Sequence, residues 1–67
     1  MKNRLKVLRA ERDMSQADLA DRVGVARQTI VALEAGKYAP SLPLAYKIAR
    51  QFSVLVEQVF LDEPSEG

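Results

Sequence analysis

The residues of this chain that could do chemistry are its long polar side chains, because it contains no cysteine and no histidine. That composition excludes disulfide bonds, thiol nucleophiles and imidazole bases, and it removes most ligands for transition metals. No carboxylate pair is placed in a plausible cleft, so we expect no catalytic site, no metal and no cofactor. Arg27 and Gln28 are adjacent. Arginine matches O6 and N7 of guanine, and glutamine matches N6 and N7 of adenine, so this pair suits hydrogen bonding with base edges.

An element must direct these two side chains outward, and residues 15–34 predict one. Ser15 is a typical helix N-cap, and Asp18 places a carboxylate in the first turn, where the helix dipole favours negative charge. Gly24 follows where helices often end in a left-handed residue, a conformation that glycine adopts without cost. A second segment of helical periodicity begins at once. We therefore predict two short helices joined by a tight turn, the helix-turn-helix arrangement.

The apolar residues of this stretch have the spacing that two packed helices require. We expect the inward set to comprise Leu19, Ala20, Val23, Val25, Ile30 and Leu33. The outward set on the second helix then comprises Arg27, Gln28, Val31 and Ala32. In a helix-turn-helix the second helix is the one that enters the major groove of DNA.

The stretch resembles the lambda-repressor-like, or Xre-type, helix-turn-helix DNA-binding family. It carries the pattern Ser-Gln-x-x-Leu-Ala-x-x-x-Gly-Val-x-Arg-Gln-Thr-Ile without a gap, and the resemblance extends over about residues 3–60. It implies an all-α fold of five helices in a single domain over residues 1–67, with the helix-turn-helix at about 15–34 and a polar tail at 62–67. Within that family the chain resembles the very short stand-alone regulators of the cytolysin-operon repressor type. Those add an antiparallel strand pair, which Lys2-Asn3 and Phe60-Leu61-Asp62 could form here.

The resemblance also implies which residues contact the DNA backbone. Gln16 matches a glutamine that lies beside a phosphate, and Thr29 matches a hydroxyl position that contacts the backbone. Lys37 and Tyr38 fall in a loop that lines the phosphates in relatives, although Tyr38 could equally pack on Pro40.

Base contacts are expected from the recognition helix. Arg27 and Gln28 open it, with solvated helix surface as the plain alternative for both and a phosphate contact as another for Arg27. Ala26 replaces the serine or threonine cap usual in the family and can offer a methyl group to thymine. Ala32 occupies a position that often holds a base-reading side chain and can offer only a methyl group.

Two further residues are implied to be structural. The resemblance pairs Arg9 with Glu34 in a partly buried ion pair that ties the first helix to the end of the recognition helix. A planar guanidinium suits such a two-point contact with a carboxylate.

The remaining helices follow from their end signals and apolar periodicity. The first is predicted from about Asn3 to Arg12, with Leu5 and Leu8 inward. Ser41 and Pro43 start the fourth, which runs to about Phe52, and the fifth spans about Val56 to Phe60. The expected core of these last two comprises Leu44, Ala45, Ile48, Ala49, Phe52, Val54, Val59 and Phe60.

Charge is distributed unevenly along the chain. Residues 1–37 hold eight Lys and Arg against five Asp and Glu, whereas residues 38–67 hold two against four, within an overall charge of +1. A basic front and an acidic end suit a protein that offers one side to phosphates, although ordinary surface charge would give the same totals.

A short chain with apolar residues to spare predicts self-association. A domain of 67 residues is marginal alone, and such domains often gain stability by oligomerising. Leu55 stands where the family usually has a capping serine, and with Val56 and Leu61 it leaves apolar surface that a second copy could cover. The alternative is that Leu55 folds back onto Phe52.

The sequence therefore predicts a homodimeric regulator that binds double-stranded DNA, most simply a repressor of an inverted-repeat operator. No small-molecule effector or membrane partner is implied, and a cytoplasmic location is the default expectation because no signal peptide or membrane-length apolar run is visible. One alternative is the antitoxin of a toxin–antitoxin pair, which neighbouring genes would reveal. Another is a protein-interaction module that has lost DNA binding, which binding to random duplex at low salt would separate.

Overall fold

The computed structural model describes residues 2–37 and 39–61, with only the backbone at Leu61. Five helices are arranged as predicted, and two short strands bring the two ends of the described chain together. In chain order the elements are β1 (Lys2–Asn3), α1 (Leu5–Glu11), α2 (Gln16–Val23), α3 (Arg27–Glu34), α4 (Leu42–Phe52), α5 (Val56–Val59) and β2 (Phe60–Leu61).

The helix-turn-helix lies where the sequence predicts it, because its ends are specified locally. The Ser15 hydroxyl accepts a hydrogen bond from the Asp18 N–H at 2.9 Å, and the Asp18 carboxylate accepts one from the Ser15 N–H at 3.0 Å. This reciprocal pair is a capping box. The hydrogen bond from the Ser15 backbone, and a second from its hydroxyl, lower the pKa of Asp18. At the other end of α2, Gly24 has the left-handed φ of 77°.

The first helix is shorter than predicted at both ends. Asn3 belongs to β1 rather than to α1, and its Oδ1 accepts a hydrogen bond from the Leu5 N–H at 3.1 Å, so its side chain stands at the entrance of the helix. The helix ends at Glu11 instead of Arg12, and Asp13 takes a left-handed φ of 54° in the connection to α2.

The fourth helix has both predicted N-terminal signals. The Ser41 hydroxyl accepts a hydrogen bond from the Leu44 N–H at 3.3 Å, and Pro43 lies in the first turn. Arg12 stabilises the other end, because its Nη2 donates to the Phe52 carbonyl at 2.9 Å and its guanidinium lies 5.1 Å from the Phe52 ring centroid.

The fifth helix ends one residue earlier than predicted, because Phe60 is extended and enters β2. β1 and β2 pair antiparallel, with Lys2 opposite Leu61 and Asn3 opposite Phe60. The Arg4 N–H also donates to the Val59 carbonyl at 2.8 Å, so the pairing continues into the start of α1. Asp62, the third residue of the predicted second strand, lies outside the described residues.

The core lies between the helices and is built from the predicted periodic positions. Its fully buried large side chains are Leu5, Leu19, Ile30, Leu33, Ile48, Phe52 and Val59. Val25, Leu44 and Val54, which the periodicity predicts to be inside, are partly buried against it, as is Met14, for which no core position is predicted. Within the described residues, no helix is both long and apolar enough to cross a membrane.

Candidate nucleic-acid interface

The exposed face of α3 presents the two predicted base-reading side chains. Arg27 and Gln28 are both exposed in its first turn. Ala26 precedes them in an extended conformation and is exposed as well, without a side-chain cap. Farther along the helix, Val31 is exposed and Ala32 is half-buried. The beginning of α3 is therefore the polar part of this face, and its middle is apolar.

Arg27 is in contact with the start of α2. Its Nη2 lies 3.4 Å from Oε1 of Gln16, and Nε2 of Gln16 donates to Oε1 of Glu34 at 3.1 Å. Gln16 is half-buried at the first position of α2. One glutamine amide thus bridges the first and last residues of α3.

Arg9 and Glu34 form a two-point ion pair beneath this bridge. Nε of Arg9 lies 2.5 Å from Oε2 of Glu34, and its Nη2 donates to Oε1 at 3.1 Å. The two side chains are only 14% and 8% exposed, and the hydrogen bonds to Glu34 raise the pKa of Arg9. A third bond, from Nη1 of Arg9 to the Met14 carbonyl at 2.8 Å, adds the connection before α2.

The other expected backbone contacts flank α3. Thr29 is half-buried in its first turn, and Lys37 is exposed just beyond its end. Gly36 takes a left-handed φ of 73° there, which turns the chain after the helix. Tyr38, expected in the same loop, lies outside the described residues.

Three contacts of this region are not predicted by the sequence. They are the bonds from Gln16 to Glu34 and from Arg27 to Gln16, and a bond from Nδ2 of Asn3 to the Leu33 carbonyl at 2.7 Å. The last holds β1 against the end of α3. No periodicity links partners so far apart in the chain, and the one signal toward this region is the expected Arg9–Glu34 pair.

A second surface, which we call the apolar groove, lies between the loop before α4 and the face of α5. Its volume is about 270 Å³, and it is lined by Ala39, Pro40, Leu42, Ala45, Val56 and Phe60. Leu42 is 64% exposed, and Leu55, just before α5, is 61% exposed, so neither is buried in its own core.

The three residues predicted to lie at the dimer seam, Leu55, Val56 and Leu61, differ in their surroundings. Val56 is half-buried and packs partly against the core, while the Leu55 N–H donates to Oε1 of Gln58 at 2.7 Å. Gln58 thus satisfies one N–H at the start of α5, although the leucine side chain itself cannot accept a hydrogen bond. The side chain of Leu61 lies outside what the structure describes.

Comparison with known proteins matches this architecture. A family model described as helix-turn-helix matches residues 5–57. An HTH-type transcriptional regulator of Methanocaldococcus jannaschii is 54% identical over 66 residues, which cover 98% of this chain and all of that protein. The transcriptional repressor RstR of the cryptic phage CTXphi of Vibrio cholerae is 32% identical over 60 residues, covering 90% of this chain and 54% of RstR. The N-terminal DNA-binding domain of SinR from Bacillus subtilis superposes with a TM-score of 0.77 at 31% identity, covering 94% of this chain and 91% of that domain.

Proposed function

Since this chain belongs to the helix-turn-helix family of DNA-binding transcriptional regulators, we propose that it binds an inverted-repeat operator as a homodimer and represses transcription there. The observation that carries the proposal is the exposed first turn of α3, where Arg27 and Gln28 project from a helix whose opposite face is buried at Ile30 and Leu33. A helix placed in this way can hold two side chains capable of bidentate hydrogen bonding at the floor of a major groove.

Base reading is assigned to the outward residues of α3. Arg27 contacts a guanine and Gln28 an adenine, each through two hydrogen bonds. The exposed methyl of Ala26 and the half-buried one of Ala32 add apolar contacts with thymine methyl groups. Two long polar side chains read only about two or three base pairs per subunit, so useful specificity requires two subunits.

Backbone contacts are assigned to residues that flank this helix. Gln16 at the start of α2, Thr29 within α3 and Lys37 after it hold phosphates, together with Tyr38 in the following loop. Such contacts fix the position of the recognition helix on the duplex without carrying sequence information. The exposed position of Lys37 next to the turn at Gly36 supports this assignment.

Dimerisation is assigned to the apolar groove and the residues around it. Leu55 and Leu61 of each copy lie at the seam with Val56, and Leu42 joins them in this proposal because it is exposed and lines the groove. A two-fold dimer presents the same patch twice, so an exposed leucine of one copy can enter the groove of the other. The two recognition helices then lie about 34 Å apart, which spaces the half-sites by about one helical turn.

Repression is favoured over activation because it requires no surface beyond the one that binds DNA. A dimer that occupies an operator blocks transcription without any further surface, and one relative, RstR, carries the name of a repressor. We place this action in the cytoplasm, with no effector molecule required. The family is one of transcription regulators rather than of enzymes.

The test begins with duplexes recovered from a random library by binding to the protein. Arg27→Ala and Gln28→Ala should each lose about 1–3 kcal/mol of binding free energy on the recovered operator and almost nothing on a scrambled duplex. Lys37→Ala should weaken both by a similar factor and lower the salt slope by about one. Lys47→Ala is the matched control, because it removes the same charge from α4, outside the helix-turn-helix.

Equal losses of affinity for operator and scrambled duplex in Arg27→Ala and Gln28→Ala would contradict the proposed base reading. In that case α3 does not read sequence. A wild-type protein that binds no duplex at low salt would instead favour a protein-interaction module.

A further inference from the structure

The carboxylate of Glu34 has a second partner, Gln16, that the expected ion pair with Arg9 does not account for. Its Oε2 accepts from Nε of Arg9, while its Oε1 accepts from both Nη2 of Arg9 and Nε2 of Gln16, each at 3.1 Å. The ion pair is therefore joined to a residue at the start of α2.

This contact decides which way the Gln16 amide points. A carboxylate only accepts hydrogen bonds, so the amide nitrogen of Gln16 must face Glu34 and the amide oxygen must face away. The oxygen then lies 3.4 Å from Nη2 of Arg27, which has only hydrogens to offer. The order of donors and acceptors from Arg9 through Glu34 and Gln16 to Arg27 is consistent at every step.

We propose that Glu34 is a positioning residue for DNA recognition, because it orients the Gln16 amide whose oxygen holds the Arg27 guanidinium at the start of α3. The inference rests on the proposed function, in which Arg27 reads a base. Arginine loses much side-chain entropy when it is fixed in one geometry. A guanidinium already held near its binding geometry loses less of that freedom on binding, so the network raises affinity for the correct site.

The network also defines what Gln16 can still offer DNA. One N–H of its amide is bound to Glu34, which leaves the second N–H for a phosphate oxygen. Gln16 thus has two separable roles. Its contact with the DNA backbone contributes equally to affinity for every sequence. Its contact with Arg27 contributes only to affinity for the operator.

The test is the ratio of affinities for the recovered operator and a scrambled duplex. Glu34→Gln keeps the size of the side chain but lets the Gln16 amide adopt either orientation. It should lower the ratio by about 3- to 30-fold, the range expected for coupling through a side-chain network. In an Arg27→Ala background the same substitution should leave the ratio unchanged, because the residue it acts through is absent.

Arg9→Met is the matched control, since it also removes the ion pair but leaves the Glu34 carboxylate facing Gln16. It should keep the wild-type ratio when all proteins are compared at a temperature where circular dichroism shows each to be fully folded. Equal losses in Arg9→Met and Glu34→Gln would overturn the inference, because the effect would then come from lost stability. Additive losses in Glu34→Gln and Arg27→Ala would also overturn it.

Failure of the proposed function gives a different result, in which Arg27→Ala itself leaves the ratio intact. Should Glu34→Gln not fold, Gln16→Met carries the same test with the ion pair undisturbed. It should lower the ratio in the wild-type background and leave it unchanged in the Arg27→Ala background. A loss of the ratio in both backgrounds would overturn the inference.

Discussion

Three nitrogen donors converge on the Glu34 carboxylate, and they come from α1 and α2 while the acceptor ends α3. The Glu34 side chain is only 8% exposed. Its negative charge can be buried to this extent because both carboxylate oxygens accept hydrogen bonds. Removal of one partner leaves the other charged and partly buried, which costs more than the pair itself contributes.

At the scale of this residue pair, we expect Arg9→Ala to lower the free energy of unfolding by about 3 kcal/mol, because Glu34 loses both of its charged hydrogen bonds. Urea denaturation of Arg9→Ala, Glu34→Ala and the double variant measures the coupling. Lys6→Ala on the exposed side of α1 is the control and should change stability by less than about 0.5 kcal/mol. Simple additivity of the two single losses would show that the pair contributes nothing.

Among elements, the helices differ in how their first turns are satisfied. α2 and α4 begin at serine side chains that accept a backbone N–H, whereas α3 begins at Ala26 without such a cap. The missing cap lies at the end that faces DNA in the proposed function. Uncapped N–H groups and the positive end of the helix dipole are favourable beside a phosphate.

The capping box of α2 predicts how the stability of the protein changes with pH. Hydrogen bonds from Ser15 lower the pKa of Asp18 in the folded protein below its ordinary value of 3.8. As the pH falls, the unfolded chain therefore takes up the proton first, so the stabilisation from Asp18 is complete well above that value and is lost below it. Asp18→Asn should show a smaller loss of stability than wild type when the urea midpoint is measured from neutral to acidic pH.

Asp21→Asn on the same helix is the control for this experiment, since Asp21 is exposed and lies beyond the first turn. It should follow the wild-type acid dependence. Equal acid dependence of wild type and Asp18→Asn would show that the capping box does not contribute through its charge.

For the whole molecule, the apolar groove and the exposed leucines beside it form the surface that we propose for self-association. Leu42 and Leu55 are large, apolar and more than 60% exposed. Leu42 lines the groove, and Leu55 directly precedes the lining residue Val56. The lining residues come from the loop before α4, from α4 and α5, and from β2. Burial of such a surface is favourable at about 25 cal/mol per Å² of apolar area, and a second copy would provide the cover.

We expect sedimentation to show a homodimer at tens of micromolar. Leu55→Ser should weaken this dimer by removing apolar area from the seam, even though serine would supply the missing cap of α5. Val7→Ser is the control, because Val7 is also exposed but lies on α1, which contributes no residue to the groove, whereas Leu55 directly precedes the lining residue Val56. A wild-type protein that remains monomeric at these concentrations would contradict the assignment of this surface.

Helix positions and core residues could be predicted from the sequence because they depend on neighbours a few residues away. Ser15, Asp18 and Gly24 specify the ends of α2 through bonds to their own helix, and Ser41 does the same for α4. The apolar periodicity that predicts Leu19, Ile30 and the other core positions is equally local, since it depends only on the helical repeat of 3.6 residues.

Tertiary structure decided those contacts between distant residues that neither the local pattern nor the family resemblance supplies. The resemblance allows a strand pair between Lys2-Asn3 and Phe60-Leu61, but only the fold shows that this pairing forms and that it takes Phe60 out of α5 and Asn3 out of α1. The bond between Gln16 and Glu34 depends on how α2 and α3 cross, and its consequence for Arg27 depends on the direction of one amide. A side-chain hydrogen bond forms only within a few tenths of an ångström and a narrow range of angles, so it follows from the packing of whole helices rather than from residue type or spacing.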